Sequence, residues 1–280
     1  MIAPPAAALE AAAAARVTMV IGAGDTGKTT LVTGLAAVLA SRGDVIGVVD
    51  ADLGQSDVGP PTTVGLGRVR RAIERLDEAE LLGLEFLGMT SPARCMRETG
   101  EATARLVARA GEVGCTRVLV DTSGLVEGSF GLALKRIKID RVQPDLIIAL
   151  QRAAECEPIL RLYERAITVL RLPAAKTTRR TQAERRRRRQ RALDAHLAGA
   201  VPVPLDLTRV AARPAPSTRG LAVVDVLGAL VGLDDREGRT RGLGWVSALD
   251  VGKARLTVET AVDGEGIAAV AIGRERYRVA

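Results

Sequence analysis

The run Ile21-Gly22-Ala23-Gly24-Asp25-Thr26-Gly27-Lys28-Thr29-Thr30 constrains this chain more than any other stretch. It stands between an apolar segment, Val17 to Ile21, and an apolar-periodic one carrying Leu31, Val32, Leu35, Val38 and Leu39. Strand, glycine loop and helix start in that order give G-x-x-x-x-G-K-[ST] its working context. The glycines let backbone N–H groups close around phosphates at a helix N-terminus, Lys28 reaches the β and γ phosphates, and the Thr29 hydroxyl reaches a magnesium ion. Gly22, Gly24, Asp25, Thr26, Gly27 and Thr30 complete the expected nucleoside-triphosphate loop. The same residues also fit Gly22-x-Gly24-x-x-Gly27, a dinucleotide fingerprint with Asp50 as the ribose acid. A dinucleotide site has no use for Lys-Thr after the third glycine, whereas a triphosphate site needs both.

The rest of the chain supplies a framework for that loop. Val45 to Val49, Leu84 to Gly88, Val118 to Asp121, Leu146 to Leu150 and Ile167 to Leu170 read as strands, with residues 99–111 helical and an irregular Gly59-Pro60-Pro61 loop. Strands alternating with helices predict an α/β fold, a mostly parallel sheet covered by helices with the site at the strand C-terminal edge. Asp50 and Asp52 follow the second strand and share a face by period two, placed for magnesium or for accepting a proton. Asp121-Thr122-Ser123-Gly124 is a turn of the sort that borders a γ-phosphate.

Charge is concentrated in one place. The net charge is +7, but residues 171–191 alone carry ten basic side chains against Glu184, which leaves the remainder slightly acidic. That segment should meet phosphates. Thr181-Gln182-Ala183-Glu184 matches a capping box, so a helix is expected with Thr181 as its N-cap, running to about Leu197. Arg185 and Arg189 lie four apart on one face, with Arg180 just before the helix. An arginine-rich helix of this kind suits a lid at 176–198 over a triphosphate; a solvated charge run or a general nucleic-acid patch remains open.

Val201 to Leu205 reads as a last core strand and Leu221 to Leu233 as a helix. Short strand-like runs near 243–249, 254–262 and 267–279 predict a small β-rich C-terminal domain, with Trp245 in its core or at a partner interface. The expected division is a tail at 1–16, a phosphate-loop domain at 17–205 and the β-rich domain at 206–280. Three scattered cysteines and one histidine supply neither a disulfide framework nor a zinc site. The N-terminus does not resemble a signal peptide, no run has the length of a membrane span, and a cytoplasmic protein is expected.

Gly22 to Thr29 with Asp25 inside the loop, Asp50-x-Asp52-x-Gly54-Gln55-Ser56-Asp57 with Gly59-Pro60-Pro61-Thr62, Gly88-x-Thr90-Ser91-Pro92, Asp121-Thr122-Ser123-Gly124 and Arg180-Thr181 with Arg185 and Arg189 resemble the polynucleotide 5′-hydroxyl kinase family. That family includes the RNA kinase subunit of the pre-mRNA cleavage factor and pre-rRNA processing kinases; this chain resembles its shorter prokaryotic members. Leu230 to Leu233 and Arg241 to Gly244 resemble the family's final domain. The resemblance implies ATP and Mg²⁺ as cofactors and RNA or DNA with a 5′-hydroxyl end as partner. It also implies site roles: Lys28 on the phosphates, Thr29 and Asp52 on the metal, and Asp52 as proton acceptor. Thr90 and Ser91 would form a clasp over the nucleotide, Arg180, Arg185 and Arg189 the lid cations, and Gln55, Thr122 and Gly124 contacts to nucleic acid. Leu125 stands where the family commonly has a tryptophan. The competing reading is a non-kinase ATPase or GTPase acting as a switch or assembly factor. No guanine-reading turn follows Leu150, where the chain gives Gln151-Arg152-Ala153-Ala154.

Overall fold

The computed structural model describes residues 3–175, 180–219 and 226–277. Its first elements are α1 (Ala6–Ala14), β1 (Val17–Gly22), α2 (Lys28–Ser41), β2 (Ile46–Ala51), β3 (Thr63–Val69), β4 (Glu80–Phe86), α3 (Met96–Glu112), β5 (Arg117–Thr122), α4 (Gly128–Val142), β6 (Leu146–Gln151), α5 (Glu157–Leu160) and β7 (Thr168–Pro173). Strands β7, β6, β1, β5 and β2 lie side by side in that order and run parallel; β3 and β4 continue the sheet antiparallel. The expected α/β architecture is therefore present.

Period-two alternation decides which residues meet which helices. Met19, Ile21, Val49 and Val120 face one way, against Ala102 and Leu106 of α3 and Ile139 of α4. Val20, Val48, Leu119 and Ile148 face the other, against Val32, Leu35 and Leu39 of α2. Burying Leu, Ile and Val on both faces is worth about 1.5–3 kcal/mol for each such side chain, which fixes the strand register. The segment expected as a tail contributes too: Ala8 and Ala12, four apart on α1, are buried in the second of these layers.

The antiparallel strand β3, directly after the irregular Gly59-Pro60-Pro61 loop, was not among the expected strands. A Cβ at Gly65 would lie 2.0 Å from the Val58 carbonyl oxygen, so the bare backbone lets the Ser56–Gly59 loop cross the strand.

The chain then forms α6 (Gln182–His196), β8 (Val201–Asp206), β9 (Ala211–Pro214), β10 (Ala229–Asp234), β11 (Thr240–Asp250), β12 (Arg255–Thr260) and β13 (Ala269–Arg276). Two expectations are corrected here. Val201 to Leu205 forms β8 but pairs antiparallel with β12, outside the parallel sheet, and only Leu205 of the strand is buried. Alternate prolines and valines suit an edge strand with few donors to give. The helix expected over Leu221 to Leu233 is instead a turn at 227–228 leading into the strand β10, between β11 and β13; residues 221–225 lie outside the described residues. Gly232 explains the strand, since a Cβ there would meet the Phe86 ring at 2.7 Å. An apolar run of that length carries no period to tell the two apart.

Helix α6 is anchored at its C-terminal end. Leu193 and Leu197 pack with Phe86, Leu230, Leu243 and Ala271, beside Trp245, whose ring lies 4.5 Å from that of Tyr277. Its N-terminal end projects toward the glycine loop. Among the described residues no helix is long and apolar enough to cross a membrane.

Candidate active site

The loop between β1 and α2 is built as its sequence requires. Gly27 takes φ +91° and Asp25 φ +55°, left-handed values that turn successive N–H groups to one side. The Thr26 hydroxyl donates to the Ala23 carbonyl at 2.9 Å, and Lys28 Nζ donates to the same oxygen at 2.7 Å. Burial pushes the Lys28 ammonium down from its ordinary range, with Asp121 and Asp52 opposing that shift. Gly124 presses against this loop so closely that a Cβ would lie 2.5 Å from Gly24 N. From the other side Arg152 donates to the carbonyls of Gly24 and Asp25.

Three acids take different tasks at the strand ends. Asp50 is fully enclosed and accepts from the amides of Asp52, Asp57 and Val58 and from the Ser56 hydroxyl, so it shapes the 52–58 loop and has no room for a ribose. Burial and the neighbouring Asp121 and Asp57 raise its pKa well above the usual carboxylate range. Asp121 accepts from the Thr29 hydroxyl at 2.6 Å, while its other oxygen, Oδ1, is buried without a hydrogen-bond partner. Burial pushes Asp121 up to about 6, with the Thr29 bond and Lys28 opposing. Asp52 is half-buried, and its Oδ1 accepts from the Gly54 and Gln55 amides at 3.0 and 3.2 Å, which fixes the carboxylate.

Two lysines of α4 lie beneath these acids. Lys135 Nζ donates to the Ser123 carbonyl at 2.6 Å and Lys138 Nζ to the Ala51 carbonyl at 2.7 Å, both with no exposed surface. Each ties α4 to the tip of an acid-bearing strand. Burial lowers both ammonium groups, Lys138 to about 8 and Lys135 further. Sequence reasoning missed them, because a Lys-x-x-Lys pair on a mixed helix looks like a solvated face.

These elements enclose a cavity of about 200 Å³. Its wall brings together Gly24 to Thr30, Asp52, Gln55, Thr122, Gly124, Arg180 and Arg185 from the expected set, with Asp57 and Arg188 in addition. Arg185 binds Asp25 at 2.6 Å and Arg188 pairs with Asp57, so both tether α6 across the opening. Gln55 Nε2 donates to the Arg185 carbonyl at 3.3 Å and the Arg180 amide to Asp25 at 3.3 Å. The cavity wall includes Arg188, three residues after Arg185, and leaves out Arg189. Gly22 lies behind the loop, against the Leu150 carbonyl. Thr90 and Ser91 are off the wall: the Thr90 hydroxyl donates to Glu275 at 3.0 Å, its carbonyl backs Gly54, and Ser91 is exposed. Lys176 and Arg179, part of the expected lid, lie outside the described residues.

The sequence matches the family described as the mRNA cleavage and polyadenylation factor CLP1 P-loop over residues 22–199. The chain belongs to that family. The match spans the glycine loop, all three acids and α6, so the cavity lies within the region that matches the family's P-loop. The chain is 42% identical over 146 residues to a polyribonucleotide 5′-hydroxyl-kinase of Pyrococcus furiosus, a match covering 52% of this chain and 41% of that protein. It is 35% identical over 169 residues to a polyribonucleotide 5′-hydroxyl-kinase of Methanocaldococcus jannaschii, covering 60% and 46% respectively. These matches therefore span less than half the length of the relatives. In structure the chain resembles Clp1p from its complex with a Pcf11p fragment, with a TM-score of 0.72 at 12% identity over 93% of this chain and 74% of that one. At that identity the likeness is one of fold.

Proposed function

We propose that this chain transfers the γ-phosphoryl group of ATP to the 5′-hydroxyl end of RNA or DNA. The observation that carries the reading is the cavity wall itself, where a triphosphate loop, a fixed carboxylate and arginines from a separate helix face one space. The names of the archaeal relatives supply the acceptor class.

Each wall residue has a task in such a transfer. The 5′-oxygen attacks phosphorus in line, the bond from γ-phosphorus to the β,γ-bridging oxygen breaks, ADP leaves, and Asp52 takes the hydroxyl proton. A positioned base of this kind contributes about 10²–10⁴ in rate. Gly24 to Thr30 cradle the phosphates with backbone N–H groups, and Lys28 lies where it can turn from the Ala23 carbonyl to the β and γ oxygens. Arg180, Arg185 and Arg188 supply charge from the opposite side. Arg189 is retained as a lid cation one residue along α6, and Thr90 and Ser91 as a clasp behind the 52–55 loop. Gln55, Thr122 and Gly124, on the same wall, are our candidates for contacts to the acceptor.

Magnesium fits this donor set. The buried Asp121 Oδ1 lacks a hydrogen-bond partner beside Thr29, and Asp52 shares the same wall. Magnesium takes one or two carboxylates and its remaining ligands from phosphate and water. Thr29 and Asp52 would hold it, and when bound it would neutralise charge on the β and γ oxygens. The buried free thiols of Cys95, Cys115 and Cys156 fit a reducing, cytoplasmic setting.

The test is incubation of the protein with γ-labelled ATP and 5′-hydroxyl oligonucleotides of RNA and DNA. Label on the strand end, lost in Lys28→Met, is the expected result. A folded, ATP-binding protein that labels no strand would remove the kinase reading.

A further inference from the structure

Helix α6 carries five successive arginines, Arg185 to Arg189, and at about 100° per residue they cannot share one direction. Arg185 and Arg188, three apart, turn inward to Asp25 and Asp57. Arg186, Arg187 and Arg191 are exposed, and none of them is in an ion pair among the described residues. Arg187 and Arg191 lie four apart, on one face.

The acids of the helix offset that face only in part, Glu184 feeling the charge of Arg187. Glu184 is committed to the cap, accepting from the Thr181 amide at 2.6 Å and its hydroxyl at 2.9 Å. Asp194 accepts from Gln190 and from the Tyr277 hydroxyl, each at 2.8 Å. Like charges this close weaken a helix. The outer face is thus a row of cations with an unmatched surplus, starting one residue from the cavity wall.

We propose that this outer face holds the phosphodiester backbone of the acceptor strand beyond its 5′-terminal nucleotide. The inference rests on the kinase reading above and deepens it: the inner face of α6 serves the triphosphate and the outer face the strand. A polynucleotide suits the position because it has anionic groups at regular spacing and is continuous with the end that enters the cavity. The surface reads charge alone, so it grips strands without regard to sequence.

The experiment measures kcat/KM on a 5′-hydroxyl dinucleotide and on a 5′-hydroxyl dodecanucleotide over a range of salt, for the parent and for Arg186→Gln/Arg187→Gln/Arg191→Gln. The parent should favour the long strand, with the preference shrinking as salt rises. The triple substitution should reduce the long-to-short ratio by roughly tenfold or more and flatten the salt slope by about 2, at about 0.7 for each phosphate of a single strand that is no longer neutralised. The corresponding triple lysine variant should keep both the ratio and the slope, which separates charge from folding. If the parent labels both strands and the glutamine variant keeps the parent's ratio and slope, the inference is overturned and the face serves another partner, such as an acidic protein surface. If the parent labels neither strand, the kinase reading fails separately. Anisotropy with a fluorescent dodecanucleotide then decides the surface alone: weaker, less salt-dependent binding by the glutamine variant supports it, and equal binding overturns it.

Discussion

Two helices begin at the cavity and are held in opposite ways. Ten of the fourteen residues of α2 are buried, including Leu35 and Leu39, and its N-terminus is fixed by the glycine loop. Of the fifteen residues of α6 only Leu193 is buried; its near end is held by a capping box and by ion pairs to Asp25 and Asp57. The first is part of the core and presents its backbone to phosphate. The second is a surface element and presents side chains. Substitutions in the two should therefore separate stability from turnover.

The largest effect is expected from α6. Replacing Arg185 and Arg188 together with alanine should lower kcat by about 10³-fold, the low end of what an arginine contributes at a transferring phosphoryl group. The melting temperature should move little, because half-exposed ion pairs are worth about 0–1 kcal/mol. Steady-state kinetics and calorimetry on the same preparation check both halves. A drop in stability as large as the drop in turnover would break the contrast.

The converse belongs to α2. Leu35→Ala should cost about 2–5 kcal/mol by opening a cavity between the helix and β1, β2 and β5, while the protein that remains folded keeps its kcat. Leu193→Ala, at a site with a single buried side chain on its helix, should cost clearly less. Urea denaturation of the two variants gives the comparison directly.

Much of this contrast was legible in the sequence, and what was not has a physical cause. The glycine loop and the Thr181 cap are local: their hydrogen bonds close within a few residues, so spacing alone places them. Helix α6 runs from Gln182 to His196 behind that cap, close to its expected span. That Arg188 lines the cavity wall and Arg189 does not was not legible, since it depends on how α6 is rotated, and that is set by Leu193 and Leu197 packing against strands distant in sequence. The acid Asp57 was missed as a partner for the same reason. Strand β10 was taken for helix because its apolar run carries no period to separate the two, and β3 was not seen because the close approach of Val58 to Gly65 and Gly67 shows only in the fold. Lys135 and Lys138 were hidden because only the fold shows that their face of α4 is covered.

Those lysines sharpen the comparison from the core side, through pH. With Lys138 lowered to about 8, the folded state binds fewer protons than the unfolded state between about pH 8 and 10, so stability contributed by this group rises with pH across that window. Below it the folded chain carries a buried ammonium at a cost. The difference in melting temperature between the parent and Lys138→Met should therefore shift in favour of the parent as pH rises from 7 to 10. A pH-independent difference would mean that the amine does not titrate in the fold.

The smallest effect tests the surface helix at its free end. Thr181→Ala removes the hydroxyl that accepts from the Glu184 amide at 3.2 Å and donates to the Glu184 carboxylate at 2.9 Å, and leaves only the backbone N–H at 181 on that carboxylate. Loss of such a cap costs about 0.5–2 kcal/mol of helix stability. Because Leu193 and Leu197 hold the other end, that loss should appear as fraying of the first turn and not as global unfolding. The first turn carries Arg185, so the fraction of molecules with its guanidinium held at Asp25 falls. The expected outcome is a several-fold rise in KM for ATP with the melting temperature nearly unchanged. Hydrogen exchange should be faster at residues 182–186 and unaltered in α2. Equal acceleration in both helices would show that α6 and α2 open together, and the division between a fixed helix and a separately held one would fail.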